Sequence, residues 1–217
     1  MKNKIAIFGG CAVALAIIFI LGAKAYKQGQ TEAYSFLAIG NSEVFVRAHS
    51  PVYGDKDAKI FITEFLDPEC ESCRRFYPEV KSLLKKYEGK VKLVVRYATF
   101  HKNSEKAVRA LEAAKMQGKY WESLDLLFEK QPEWGNHHNP RPELILVYLK
   151  ELGLDMDKLQ VDMKRDEINQ ILMLDEQAMI KLEIRGTPTF FVNGKPLESF
   201  GMEFLEKATK EEIAKLY

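Results

Sequence analysis

FLDPECESCRRFYPEV, residues 65–80, decides the fold of this 217-residue chain. It carries two of the three cysteines, Cys70 and Cys73, separated only by Glu71 and Ser72. The preceding run, KIFITEFLD (59–67), is apolar at nearly every position and rich in β-branched and aromatic residues, which predicts a central strand buried on both faces. After the cysteines the period changes. Cys73, Phe76, Tyr77, Val80, Leu83, Leu84 and Tyr87 recur at helical spacing and predict an amphipathic helix. Pro78 removes one backbone bond inside that helix and predicts a kink, and Gly89 ends it. VKLVVRYATF (91–100) reads as a second buried strand. Residues 59–99 are therefore strand, helix, strand, a right-handed βαβ unit if the strands run parallel.

Working outward, the chain turns helical. SEKAVRALEAAKMQG (104–118) starts with an imperfect capping box at Ser104. WESLDLLFEKQ (121–131), PELILVYLKELG (142–153) and INQILMLDEQAMIKLEI (168–184) follow, broken at Gly118, PEWGNHHNPRP and Gly153. Strand signals return in TFFVNGKPL (189–197), where Asn193-Gly194 predicts a β-hairpin. MEFLEKATKEEIAKLY closes the chain as an amphipathic helix. Upstream, SEVFVRAHSPVYGDKDA (42–58) predicts a short strand at Val44–Arg47 and a loop.

Composition suits one globular core: 47% hydrophobic and 29% charged residues. The net charge of +1, with no basic block, argues against nucleic acid as a partner. The N-terminus differs from the rest. Residues 5–23 are uncharged and as long as a membrane-spanning helix requires, roughly 17–25 residues. Ala23-Lys24-Ala25 also fits a cleavage site. The length favours an uncleaved anchor, with a signal cut after Ala25 as the alternative. Either one places the remainder outside the cytoplasm, in the periplasm or cell envelope. Cys11 reads as a small hydrophobe in lipid. The expected division is 1–25 anchor or signal, 26–42 tether and 43–217 catalytic domain, with a helical insertion near 103–182.

A Cys-x-x-Cys pair serves metal binding, a structural staple or redox chemistry. A zinc site needs two further ligands at suitable spacing, and the adjacent His137 and His138 do not supply it; no metal and no cofactor are expected. The redox reading explains more. A cysteine at a strand-to-helix junction meets the unpaired N–H groups and partial positive charge of a helix N-terminus, which stabilise a thiolate. Cys73, one turn deeper, is placed to resolve a mixed disulfide on Cys70.

EFLDPECESC (64–73), Pro78 and RGTPTFFVNG (185–194), in this order and with helices between the βαβ and ββα halves, resemble the DsbA-like thiol-disulfide oxidoreductases of the thioredoxin superfamily. The resemblance spans roughly residues 43–217. It implies an α/β thioredoxin fold and a cis peptide before Pro188 facing the cysteines. Thr187 and Pro188 then form a platform for an extended substrate peptide. It also implies that Glu64, an acid within an apolar strand, moves protons beneath the cysteines. Glu71 and Ser72 stand where strongly oxidising members carry Pro-His, so a less stabilised thiolate is expected, and Thr187 resembles isomerase-type relatives. The implied partners are exported cysteine-containing proteins and a membrane redox partner. A disulfide isomerase or reductase, or a non-catalytic peptide-binding module, are the competing functions. His101, at the end of a strand, could lie near the cysteines or serve only as a loop residue.

Overall fold

The computed structural model describes residues 15–29, 32, 42–136 and 138–217. Strand β2 (Ile60–Leu66) forms its centre. It pairs in parallel with β3 (Val91–Tyr97) and antiparallel with β4 (Thr189–Val192). The two-residue strands β1 (Val52–Tyr53) and β5 (Lys195–Pro196) occupy the edges, giving the order β1-β3-β2-β4-β5. Helix α2 (Glu71–Lys86) connects β2 to β3, and Pro78 lies inside it. The hairpin between β4 and β5 turns through Asn193 (φ 48°) and Gly194 (φ 76°). Two successive positive φ values are what an Asn-Gly turn supplies at low strain.

The insertion contains α3 (Ser104–Lys115), α4 (Tyr120–Glu129), α5 (Gln131–Trp134), α6 (Leu144–Lys150), α7 (Met156–Asp162) and α8 (Asp166–Lys181). Helix α9 (Met202–Leu216) closes the chain. The sheet separates two apolar clusters. Ile60, Ile62, Leu66, Val95 and Tyr97 pack with α2, α3 and α4. On the opposite face Phe65 and Phe191 meet Phe45, Ala178 and Leu182. This is a thioredoxin-type α/β fold with the expected βαβ…ββα order.

Arg96 fastens the insertion to the sheet. Its buried guanidinium bonds Asp175 of α8 at 2.6 Å and also donates to the Val44 carbonyl. The other Asp175 oxygen accepts from the Tyr97 N–H at 2.7 Å. Removing one member of such a pair leaves a bare buried charge, at a cost of about 3–5 kcal/mol.

Three details differ from expectation. Residues 42–44 form a short 3-10 turn and no strand covers 44–47. Phe45 is instead driven into the core with Phe191, its carbonyl accepting from the Thr63 hydroxyl. Ser104 is not a cap: Asn103 holds that position, and the Ser104 hydroxyl donates to Asp67 at 2.5 Å. Helix α7 has no counterpart in the sequence reading; Asp155 caps it by accepting from the Lys158 N–H.

Residues 15–29 form a helix, α1, that leaves Leu15 and Ile17 to Leu21 each at least half exposed. Among the described residues no helix is long and apolar enough to cross a membrane. Of the expected span 5–23, residues 5–14, with Cys11, lie outside the described residues, as does most of the expected tether 26–42.

Candidate active site

Strand β2 ends at Leu66, and the chain then makes a turn in which the Cys70 N–H donates to the Asp67 carbonyl at 3.1 Å. Cys70 is the N-cap of α2, with extended backbone angles and no capping side-chain bond. Its carbonyl accepts from the Arg74 N–H, opening the helix. The cap position places the sulfur at the end where N–H groups have no intrahelical acceptor.

The two thiols, neither in a disulfide, are pushed in opposite directions. Cys70 falls from the ordinary thiol value to about 5. The first cause is a hydrogen bond from the Cys73 thiol; burial works against it, and the Thr187 side chain and the Cys73 and Ser72 backbone N–H groups add to the lowering. Cys73, fully buried, is raised well above the usual value, chiefly by desolvation and next by its bond to Cys70. One proton thus sits on Cys73 and is shared toward Cys70.

Across the groove the Thr187–Pro188 peptide is cis, and the Thr187 carbonyl oxygen lies 3.4 Å from Cys70 Sγ. A carbonyl accepts only from a protonated thiol, so that contact serves the neutral form, whereas the Thr187 side chain favours the thiolate. Glu64 has no exposure, and neither carboxyl oxygen has a hydrogen-bond partner. It lies opposite Val95 and Phe190, on the sheet face that carries Ile62, Leu66 and Tyr97. Burial raises its pKa to about 8, and negative charge on Cys70 adds to this. Glu71 is exposed and Ser72 half-buried, so the Glu71 charge faces water, where it is screened.

Sequence reading singled out His101 but missed the other groups that hold this loop. Asp67, fully buried, accepts from the N–H groups of Glu69 (2.8 Å), Phe100 (2.9 Å) and His101 (3.2 Å) and from the Ser104 hydroxyl. His101 Nδ1 lies 2.7 Å from the same carboxyl. Its pKa is raised: burial opposes the charge, but Asp67 and Cys70 outweigh it. His101 thus belongs to the site through Asp67. Glu69 grips the same neighbouring loop, accepting from the Asn103 N–H and side-chain amide at 2.7 and 2.8 Å. From the insertion, Gln131 donates to the Pro68 and Cys70 carbonyls. Apart from the Glu69 N–H on Asp67, these partners lie 33 to 63 residues apart in the chain, and no local pattern announces them.

A family model described as Thioredoxin matches residues 47–211. The chain belongs to the thioredoxin family. It is 26% identical to a probable disulfide bond formation protein D of Bacillus cereus, over 99% of this chain and 100% of that protein. It is 27% identical to a solved thioredoxin-like oxidoreductase from Silicibacter pomeroyi DSS-3, with a TM-score of 0.69, covering 82% of this chain and 99% of the other. It also matches a Na(+)/H(+) antiporter NhaA 3 of Salinispora tropica, at 31% identity over 86% of this chain, but spans only 28% of that protein's length.

Proposed function

We propose that the chain exchanges disulfides with exported cysteine-containing proteins through Cys70 and Cys73. The observation that carries this is the opposed displacement of the two thiols. A substrate thiolate attacks Cys70 Sγ of the oxidised pair, forming a mixed disulfide and breaking the Cys70–Cys73 bond. Cys73 leaves as a thiolate and takes the proton held by Glu64. A second substrate thiolate then attacks the substrate sulfur and expels Cys70 as its stable thiolate. The substrate loses two electrons and the enzyme gains them. A membrane redox partner would restore the disulfide.

Thr187 and Pro188 form the platform for an extended substrate backbone, and Glu71 and Ser72 border it. Net oxidation is the leading direction. A Cys70 pKa near 5 lies between about 7 in thioredoxin and about 3.5 in DsbA. This supports a disulfide more oxidising than thioredoxin's and less so than DsbA's, because stabilising the thiolate favours the reduced enzyme. Glu71-Ser72 in place of Pro-His keeps an isomerase or reductase of the same fold as the second reading.

Export rests on residues 5–23, as an anchor or as a signal cut after Ala25. The exposed apolar surface of Leu15 to Leu21 supports a lipid environment for this segment. A mature N-terminus at Tyr26, read by intact mass, would remove the anchor. The chemistry is tested with Cys73→Ala. In this variant the lone Cys70 thiolate should attack disulfides of exported proteins and stay in the mixed disulfide, because Cys73, the thiol that resolves it in that direction, is gone. No trapped adducts, with the variant folded, would overturn the exchange reading.

A further inference from the structure

Gln131 stands at the first position of the four-residue helix α5, 61 residues after Cys70, and is 1% exposed. Its side-chain amide is fully engaged with the active-site turn. Nε2 donates to the Pro68 carbonyl at 2.8 Å and to the Cys70 carbonyl at 3.0 Å, while Oε1 accepts from Arg74 Nε at 3.0 Å. These partners leave one orientation. Two carbonyls demand the NH2 end and a guanidinium demands the oxygen. One side chain therefore holds the residue before Glu69, the reactive cysteine and the first turn of α2.

We infer that Gln131 is a positioning residue that sets the redox poise of Cys70 from the helical insertion. The inference rests on the exchange function proposed above. Cys70 is the helix cap, and the orientation of its peptide unit decides whether its sulfur faces the Ser72 and Cys73 N–H groups. Its carbonyl also accepts from the Arg74 N–H, so Gln131 supplies a second donor to the same atom. Without that donor and the Arg74 tether, the first turn of α2 loosens and the two amides lose their alignment on sulfur. The surroundings are shaped to admit this side chain. A Cβ on Gly135, the residue that ends α5, would lie 3.3 Å from both Gln131 Cγ and Glu69 Cγ. Gly135 has φ −105°, so the absent side chain provides space there and not conformational freedom.

The test is made on the full chain with Gln131→Met, which keeps the stem and deletes all three hydrogen bonds. Two quantities are read: the pH dependence of Cys70 alkylation, assigned by fragment mass spectrometry, and the equilibrium with glutathione. The Cys70 midpoint should rise toward the ordinary thiol value. The glutathione equilibrium should shift about tenfold toward the oxidised enzyme, equivalent to about 30 mV. Gly135→Ala, which only crowds Gln131 and Glu69, should move both quantities in the same direction by less and serves if Gln131→Met does not fold. A variant with a lowered melting temperature but the parent's Cys70 midpoint and glutathione equilibrium would overturn the inference and leave Gln131 a packing residue. Failure of the function proposal is a different result. There the parent itself would form no mixed disulfides, while the alkylation midpoint would still report what Gln131 does to Cys70.

Discussion

Asp67 and Glu64 are acids three residues apart on the same stretch of chain, and both have no solvent exposure. Asp67 is met by three backbone N–H groups, a hydroxyl and an imidazole. Glu64 is met by nothing, with both oxygens unpartnered. A buried carboxyl surrounded by donors is held by them and fixes the backbones that supply them. One without donors keeps its proton, because ionising it in an apolar setting is costly. The same chemical group thus serves as a fastener at the end of β2 and as a proton store within it. Burial is equal at the two positions; the supply of donors separates them, and the charge of Cys70 adds to the displacement of Glu64.

The largest effect that could break this contrast is at Asp67. Asp67→Asn presents an NH2 group to donors that need an acceptor, and removes the charge that faces His101. The folded state should lose about 3–5 kcal/mol, as for other broken buried networks. Denaturant unfolding measures it, and a loss within about 0.5 kcal/mol would show that the loop is held elsewhere.

Glu64→Gln should do the opposite. In the unfolded chain the carboxyl releases its proton above about 4.5, whereas in the folded protein it holds it until about 8. The folded state therefore binds more protons over that interval, and the native glutamate costs stability as pH rises through it. The glutamine variant should equal the parent below pH 4.5 and exceed it by about 3 kcal/mol at pH 7. The extra stability should level off above pH 8. On the proposed exchange, in which Glu64 protonates the departing Cys73, the rate should nevertheless fall by about a hundredfold. Stability unchanged with pH would mean that Glu64 is ionised in the fold.

Most of the contrast was legible in part only. Glu64 drew notice because an acid interrupts the apolar run Ile60–Leu66, a signal carried by neighbouring residues. Cys70, Cys73, Thr187 and Pro188 lie in two short motifs and were readable for the same reason. Asp67 read as the last residue of the strand run KIFITEFLD, Ser104 as a cap and Gln131 as the tail of a helix. Their roles depend on loops brought together from across the fold, and the sequence carries no period that reports such contacts. The short strand expected at 44–47 failed differently: its apolar residues are buried by packing of Phe45 against Phe191, without a strand partner.

The smallest effect sharpens the comparison between the two acids and the sulfurs above them. Replacing Glu71-Ser72 with Pro-His should lower the Cys70 pKa and shift the glutathione equilibrium about tenfold toward the reduced enzyme, about 30 mV. Glu64 should still titrate near 8, because desolvation is the first cause of its displacement. If the double variant became more reducing than the parent, the poise would have to be sought in Thr187 instead.

The spread of the site along the chain gives it a history in time. Synthesis runs from the N-terminus, so the two sulfurs exist well before the glutamine that braces them, 61 residues on, and the threonine that faces them, 117 residues on. Until those segments arrive and fold, Cys70 is an ordinary thiol with little thiolate at neutral pH. The surroundings of Cys70 are therefore completed only after Thr187 has been made. A half-made molecule would carry both cysteines and yet be a poor partner for stray disulfides.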